Sequence, residues 1–151
     1  MNFAQQTKVL NLTPPGALVD NASLAVTELD TLGYDYAVIE LILGATDIAC
    51  SAMILTDGDT SGSGHANITA SNFNGQLEAD GTTAALPSAT DDNGIFRWEL
   101  DLTKRKRYID ATITVGDGTV GGYYVVRAEL FRAKETPSSI TNRGLSGLIR
   151  I

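Results

Sequence analysis

The sequence predicts an all-β fold, an antiparallel β-sandwich of jelly-roll type, on three observations. Residues 95–131 contain three successive segments in which apolar and polar residues alternate, the pattern of half-buried strands. Turn-forming residues are abundant, with 15 glycines and 4 prolines among 151 residues. Three amphipathic strands joined by short turns need a second sheet to cover their apolar faces. With the segments that precede them, they give about eight strands, which suits a jelly roll.

The apolar face of each strand in 95–131 follows from the alternation. The predicted core residues of these three strands are Phe96, Trp98, Leu100, Leu102, Ile109, Ala111, Ile113, Val115, Tyr124, Val126, Ala128 and Leu130.

The first half of the chain supplies the remaining strands. Residues 21–29 alternate as a strand. Residues 34–43 are so continuously apolar that we expect a central strand with both faces covered, or a strand with one face packed against an arm. A turn then leads into a strand at 48–55, which predicts a hairpin between the two. Residues 56–94 are rich in Asn, Gly, Asp, Thr and Ser and read as irregular, with a short strand at 65–69.

The chain divides into an N-terminal arm (1–20), a sandwich body (21–135) and a C-terminal tail (136–151). Pro14 and Pro15 force an extended break after a short possible edge strand. We expect the apolar residues of the N-terminal arm to lie on the body or on a neighbouring subunit, and those of the tail, which have no obvious place in the core, to lie on a neighbouring subunit. Those residues are Phe3, Val9, Leu10, Leu12, Leu145, Leu148, Ile149 and Ile151.

Composition excludes several classes of function. A net charge of −7 should repel nucleic acid and anionic membranes. The single cysteine, Cys50, excludes an intrachain disulfide and is expected to be a small buried hydrophobe. No apolar run approaches the roughly 20 residues of a membrane span, and no signal peptide opens the chain, so we expect a soluble protein made in the cytosol.

Candidates for catalysis or metal binding are weak. Asp57 and Asp59 begin a segment that resembles a calcium loop, but Ile68 occupies the position of its bidentate glutamate. His65 is the only histidine, and no serine stands in a Gly-x-Ser-x-Gly elbow. We therefore expect no catalytic residue, no metal and no cofactor.

A dense positive cluster interrupts this acidic chain. It consists of Lys104, Arg105, Lys106 and Arg107, in the turn between the first two strands of 95–131. Four exposed cationic side chains would bind an acidic surface of a partner protein, or phosphate groups. Alternatively they form a solubilising turn, with Arg107 paired to Asp101 or Asp110.

Several short segments occur in an order that resembles a family of virion proteins. They are Gly33-Tyr34-Asp35-Tyr36-Ala37, Leu43–Ala49, Leu86–Asn93, Asp101-Leu102 with Lys106–Ile109, and Gly116–Thr119. Together they resemble the capsid decoration, or cement, proteins of tailed bacteriophages. The resemblance implies a non-enzymatic structural protein on the capsid exterior that binds the major capsid protein, often as a homotrimer, and stabilises contacts between capsomers. It transfers no catalytic or binding residues.

Two other classes remain open. A carbohydrate-binding or host-adhesion module would present several aromatics on one face, for which Tyr34, Tyr36, Tyr108 and Tyr123 are available. Trp98 counts against this class because it shares the predicted core face. An enzyme is the third class, but it lacks a recognisable motif.

Overall fold

The computed structural model describes residues 3–16, 18–135 and 139–149, and it confirms an all-β sandwich built from two antiparallel sheets. The strands are β1 (Lys8–Asn11), β2 (Leu18–Val19), β3 (Leu29–Asp30), β4 (Tyr36–Thr46), β5 (Cys50–Gly58), β6 (Ala66–Asn67), β7 (Ile95–Asp101), β8 (Tyr108–Val115) and β9 (Gly122–Phe131). The helical elements in these residues are three short 3-10 turns, Phe3–Gln6, Thr69–Ser71 and Leu102–Lys104.

From β2 onwards the chain alternates between the two sheets, except that β5 and β6 are neighbours in the same sheet. The first sheet has the order β1-β9-β4-β7, with β2 also paired to β9, and the second has the order β3-β8-β5-β6. The predicted hairpin between β4 and β5 is therefore wrong. Because β9 and β7 already pair with both edges of β4, no edge remains for β5, and residues 47–49 carry the chain across to the second sheet.

The core lies between the two sheets and follows the predicted alternation. Of the twelve predicted core residues, all are buried except Phe96, which is half-buried and packs against the others. The central position expected for 34–43 is confirmed, because β4 pairs with β9 and β7 and its Ala37, Ile39, Leu41 and Leu43 are buried. Its other face is only partly covered, since Val38 and Ile42 are half-buried.

The N-terminal residues that follow the first turn belong to the sandwich. β1 pairs in register with β9, from Lys8 opposite Leu130 to Asn11 opposite Arg127. Leu12 is buried in the core, and the Thr13 Oγ1 accepts a hydrogen bond from the backbone N–H of Val126 at 2.7 Å. Of the two placements expected for these apolar residues, the structure has them on the body.

Residues 21–29 form less regular strand than predicted. Asn21 and Leu24 donate backbone hydrogen bonds to Gly116 and Ile113, but regular pairing is confined to Leu29–Asp30. The backbone N–H of Thr27 bonds instead to the carbonyl of Leu12. The segment therefore leaves β8 because it also contacts the N-terminal residues.

The largely irregular residues 68–88 follow β6 and cover the rest of the β5 edge of the second sheet. Ile68 and Phe73 donate backbone hydrogen bonds to Leu55 and Met53 of β5, and Cys50 donates one to Pro87. Beside them, β7 is the terminal strand of the first sheet, and within the described part of the chain it pairs only with β4. One sandwich edge is therefore covered and its neighbour is open.

Candidate partner-binding surfaces

The basic turn carries its own counter-ions. Each of its four cations has a carboxylate within 4 Å, and these pairs are Lys104–Asp101, Arg105–Asp57, Lys106–Asp59 and Arg107–Asp30. The local positive charge is therefore largely balanced by acids from three other parts of the chain, which weakens the interpretation of this turn as an anion-binding surface.

Arg107 has a structural role in this turn. Its Nε and Nη2 atoms donate to the two carboxylate oxygens of Asp30 at 2.8 and 2.7 Å. This bond lowers the pKa of Asp30 and raises that of Arg107. The predicted partners, Asp101 and Asp110, were wrong, because the pairing of β3 with β8 places Asp30 opposite Tyr108, next to Arg107.

The two carboxylates of the segment that resembles a calcium loop take part in these ion pairs. The Asp57 and Asp59 carboxylates lie 3.9 and 3.4 Å from the nearest nitrogens of Arg105 and Lys106. In the residues for which the structure gives positions, no three His, Cys, Asp or Glu side chains group as a metal site would require.

Glu28 holds the loop that contains His65. Its carboxylate accepts hydrogen bonds from the Ser61 hydroxyl at 2.6 Å and the Gly62 backbone at 2.9 Å, and these lower its pKa. His65 Nε2 lies 3.0 Å from the same carboxylate. In a hydrolytic triad the histidine stands between serine and acid. Here Glu28 lies between Ser61 and His65, so its carboxylate links the loop to residue 28, and His65 is not placed to activate Ser61.

Residues 47–49 and 116–121 form one end of the sandwich, which we call the apex, and a carboxylate joins these two segments. The Asp47 carboxylate accepts backbone hydrogen bonds from Thr119, Val120 and Gly121 at 2.8–3.0 Å. These bonds, that from Val120 foremost, lower the pKa of Asp47. Gly121 has φ +90° and passes so close to Val19 that a Cβ would lie 2.4 Å from its carbonyl oxygen, so the turn requires glycine.

Three large apolar side chains are exposed in the apex or next to it, and we call them the apical patch: Leu18, Val120 and Tyr123, which are 49%, 60% and 46% exposed. Leu18 lies directly opposite Tyr123 in the β2–β9 pair, so the two side chains share a face. This patch was not predicted from the sequence, although an isolated valine in a glycine-rich turn was a signal for it.

The expected contact residues at the chain ends divide into two groups. Val9 and Leu10 are half-buried and Leu12 is buried on the body, whereas Leu148 and Ile149 are 39% and 88% exposed. The tail is attached to the body at β1, where the backbone N–H of Val9 donates a hydrogen bond to the Arg143 carbonyl at 2.9 Å. Leu145, two residues further along the tail, is half-buried. The side chain of Phe3 and all of Ile151 lie outside the described residues.

The tyrosines proposed for glycan binding do not converge. Tyr36 and Tyr123 lie near opposite ends of the first sheet, and Tyr108 lies in the second. Tyr34 packs half-buried against the core. Trp98 is buried, and its Nε1 donates to the Ser71 carbonyl at 2.7 Å. These residues do not form the aromatic platform expected of a carbohydrate-binding module.

A buried acid on the outer face of the first sheet was also missed. Glu40 on β4 is 7% exposed and lies opposite Arg97 on β7 and Arg127 on β9. Its carboxylate accepts from the Arg97 Nε at 2.9 Å and lies 3.0 Å from the Arg127 Nε. The hydrogen bond to Glu40 raises the pKa of Arg97. The signal was one acid in an apolar run, with arginines at the outward positions of two other strands.

Cys50 is buried, as predicted, and burial raises the pKa of its thiol to about 11. None of the helical elements in the described residues has the length and apolar character needed to span a bilayer. Comparison of the chain with protein-family models, curated proteins and solved structures gave no match.

Proposed function

We propose that this chain is a non-enzymatic virion protein that binds the outer surface of a tailed-phage capsid, associates with itself, and stabilises the contacts between capsomers. The apical patch carries the proposal. It exposes three apolar side chains, that of Val120 on a turn whose backbone is bonded to Asp47 and those of Leu18 and Tyr123 on paired strands, a combination suited to docking on another protein without a loss of loop entropy.

The resemblance to decoration proteins supports the same surface. Two of the segments that carry it, Leu43–Ala49 and Gly116–Thr119, meet at the apex, where Asp47 of one accepts from the backbone of the other. In this role the basic turn is a neutralised structural element, and the partner is the major capsid protein. The scattered tyrosines give the carbohydrate-binding alternative no comparable support.

The proposal is tested by sedimenting the purified chain with capsids of the phage whose genome encodes it. The double variant Leu18→Asp/Val120→Asp places two charges on the patch, and we expect at least a tenfold loss of capsid affinity. Leu32→Asp is the matched control, because Leu32 is 66% exposed in the turn bonded to the far end of β9.

Wild-type protein that stays in the supernatant would overturn the capsid role. A patch variant that binds as tightly as the control would overturn the assignment of the surface. Circular dichroism confirms that each variant is folded.

A further inference from the structure

The open edge of β7 forms one side of a groove of about 630 Å³. Five consecutive residues of β7, 95–99, line it, so the groove runs along the strand edge. Residues 70–73 and 76–79 form the other side. Within the described residues, no backbone hydrogen bond from outside β4 reaches residues 95–101. Unpaired strand edges are templates for an added strand.

The rim of this groove is apolar and acidic. Leu77 and Ile95 are 75% and 60% exposed, and Phe73 stacks edge-on against Phe96, with ring centroids 5.8 Å apart. The charged residues of the lining are Glu78, Glu99 and Arg97, and the Arg97 guanidinium lies 3.8 Å from the Glu99 carboxylate. Two carboxylates and one guanidinium leave one net negative charge, so an occupant should be extended, rich in aliphatic residues and free of acids.

The tail of the chain has this chemistry. Residues 145–149 read Leu-Ser-Gly-Leu-Ile, contain no acid, and are followed in sequence by Arg150. Leu148 and Ile149 are exposed on the described structure. The tail also leaves the body at β1, the edge of the first sheet opposite β7. It therefore projects from the far edge of the same sheet that offers the groove.

We propose that residues 145–149 of one copy add as a strand to β7 in the groove of a second copy. The contact is head-to-tail, since tail and groove are different surfaces, and it links the first sheets of successive copies. Such a contact produces a closed ring when the rotation between copies closes and a chain when it does not. The inference does not rest on the capsid role, because it concerns contacts between copies of this chain alone.

The test uses two double variants and light scattering after size exclusion. Leu77→Asp/Ile95→Asp disables the groove, and Leu148→Asp/Ile149→Asp disables the tail. The control is Leu32→Asp, at a residue that is 66% exposed and lies outside the groove, the tail and the apical patch. We expect wild type and control to form species heavier than the 16.0 kDa monomer, and each disabled variant to associate at least tenfold more weakly.

Mixing the disabled variants gives the sharpest result. The groove variant retains its tail and the tail variant retains its groove, so an equimolar mixture should form one heterodimer, of twice 16.0 kDa, that cannot extend. Wild-type protein that is monomeric at every concentration would overturn the proposal, and so would disabled variants that keep the wild-type mass. A mixture that stays monomeric would also overturn it, because a symmetric or unrelated contact is not restored by mixing.

Discussion

Leu12 distinguishes a detachable N-terminal arm from a strand of the sandwich. It is only 3% exposed, and its backbone is bonded on both sides, donating to Val126 and accepting from Thr27, each at 2.7 Å. Because the backbone is held, neighbours cannot fully close the space left by Leu12→Ala. We expect this substitution to lower the free energy of unfolding by about 3 kcal/mol, as other large core truncations do.

Leu18→Ala is the matched control, since Leu18 lies in the same N-terminal region but is 49% exposed. Its truncation leaves no internal cavity and should cost less than about 0.5 kcal/mol. With a urea dependence of about 2 kcal/mol per molar, the two effects correspond to midpoint shifts of roughly 1.5 M and less than 0.3 M.

The assay is urea unfolding followed by tryptophan fluorescence, which reports on Trp98 in the core. If Leu12→Ala shifts the midpoint no more than Leu18→Ala does, residues 8–13 are dispensable to the body, and the reasoning from burial is refuted. The same reasoning predicts that deletion of residues 1–16 destabilises the body in addition to any effect on assembly.

Two further predictions concern charged side chains. Glu40→Ala leaves Arg97 and Arg127 without their shared acceptor and should lower the free energy of unfolding by about 2 kcal/mol. This is less than the roughly 3–5 kcal/mol of a fully buried broken pair, because both arginines reach solvent; an unchanged midpoint in chemical unfolding would contradict it. Asp47→Ala should destabilise the fold at pH 7, and this difference from wild type should shrink towards pH 3. Folding lowers the pKa of Asp47 below its unfolded value of about 3.9. The stabilisation by this carboxylate is therefore present above that value and is lost as the pH falls through the pKa of the folded protein. A difference between variant and wild type that persists undiminished in acid would contradict this prediction.

Sequence reasoning succeeded where strands are strongly amphipathic. The boundaries and buried faces of β7, β8 and β9 follow from the alternation alone, because each has one face in the core and one in solvent. It failed for strand partners, which depend on distant parts of the chain. The β4–β5 hairpin was predicted from a short turn, yet that turn crosses between sheets.

The candidate surfaces were harder to predict for the same reason. Asp30 and Asp57, which pair with Arg107 and Arg105, are 77 and 48 residues away, so the neutralisation of the basic turn could not be seen locally. Conversely, the hydrophobicity of Leu148 was evident, but whether it was buried could be learned only from the structure.

The pairing of the first strand with the last has a consequence for biosynthesis. β1 and β2 both pair with β9, and β3 pairs with β8. During translation the N-terminal strands therefore leave the ribosome long before their partners exist, and neither sheet is complete until β8 and β9 have been made. Formation of the sheets is then expected to be slow, because distant segments have to find one another first. Until that happens, the apolar faces of the early strands remain open to contact with other chains.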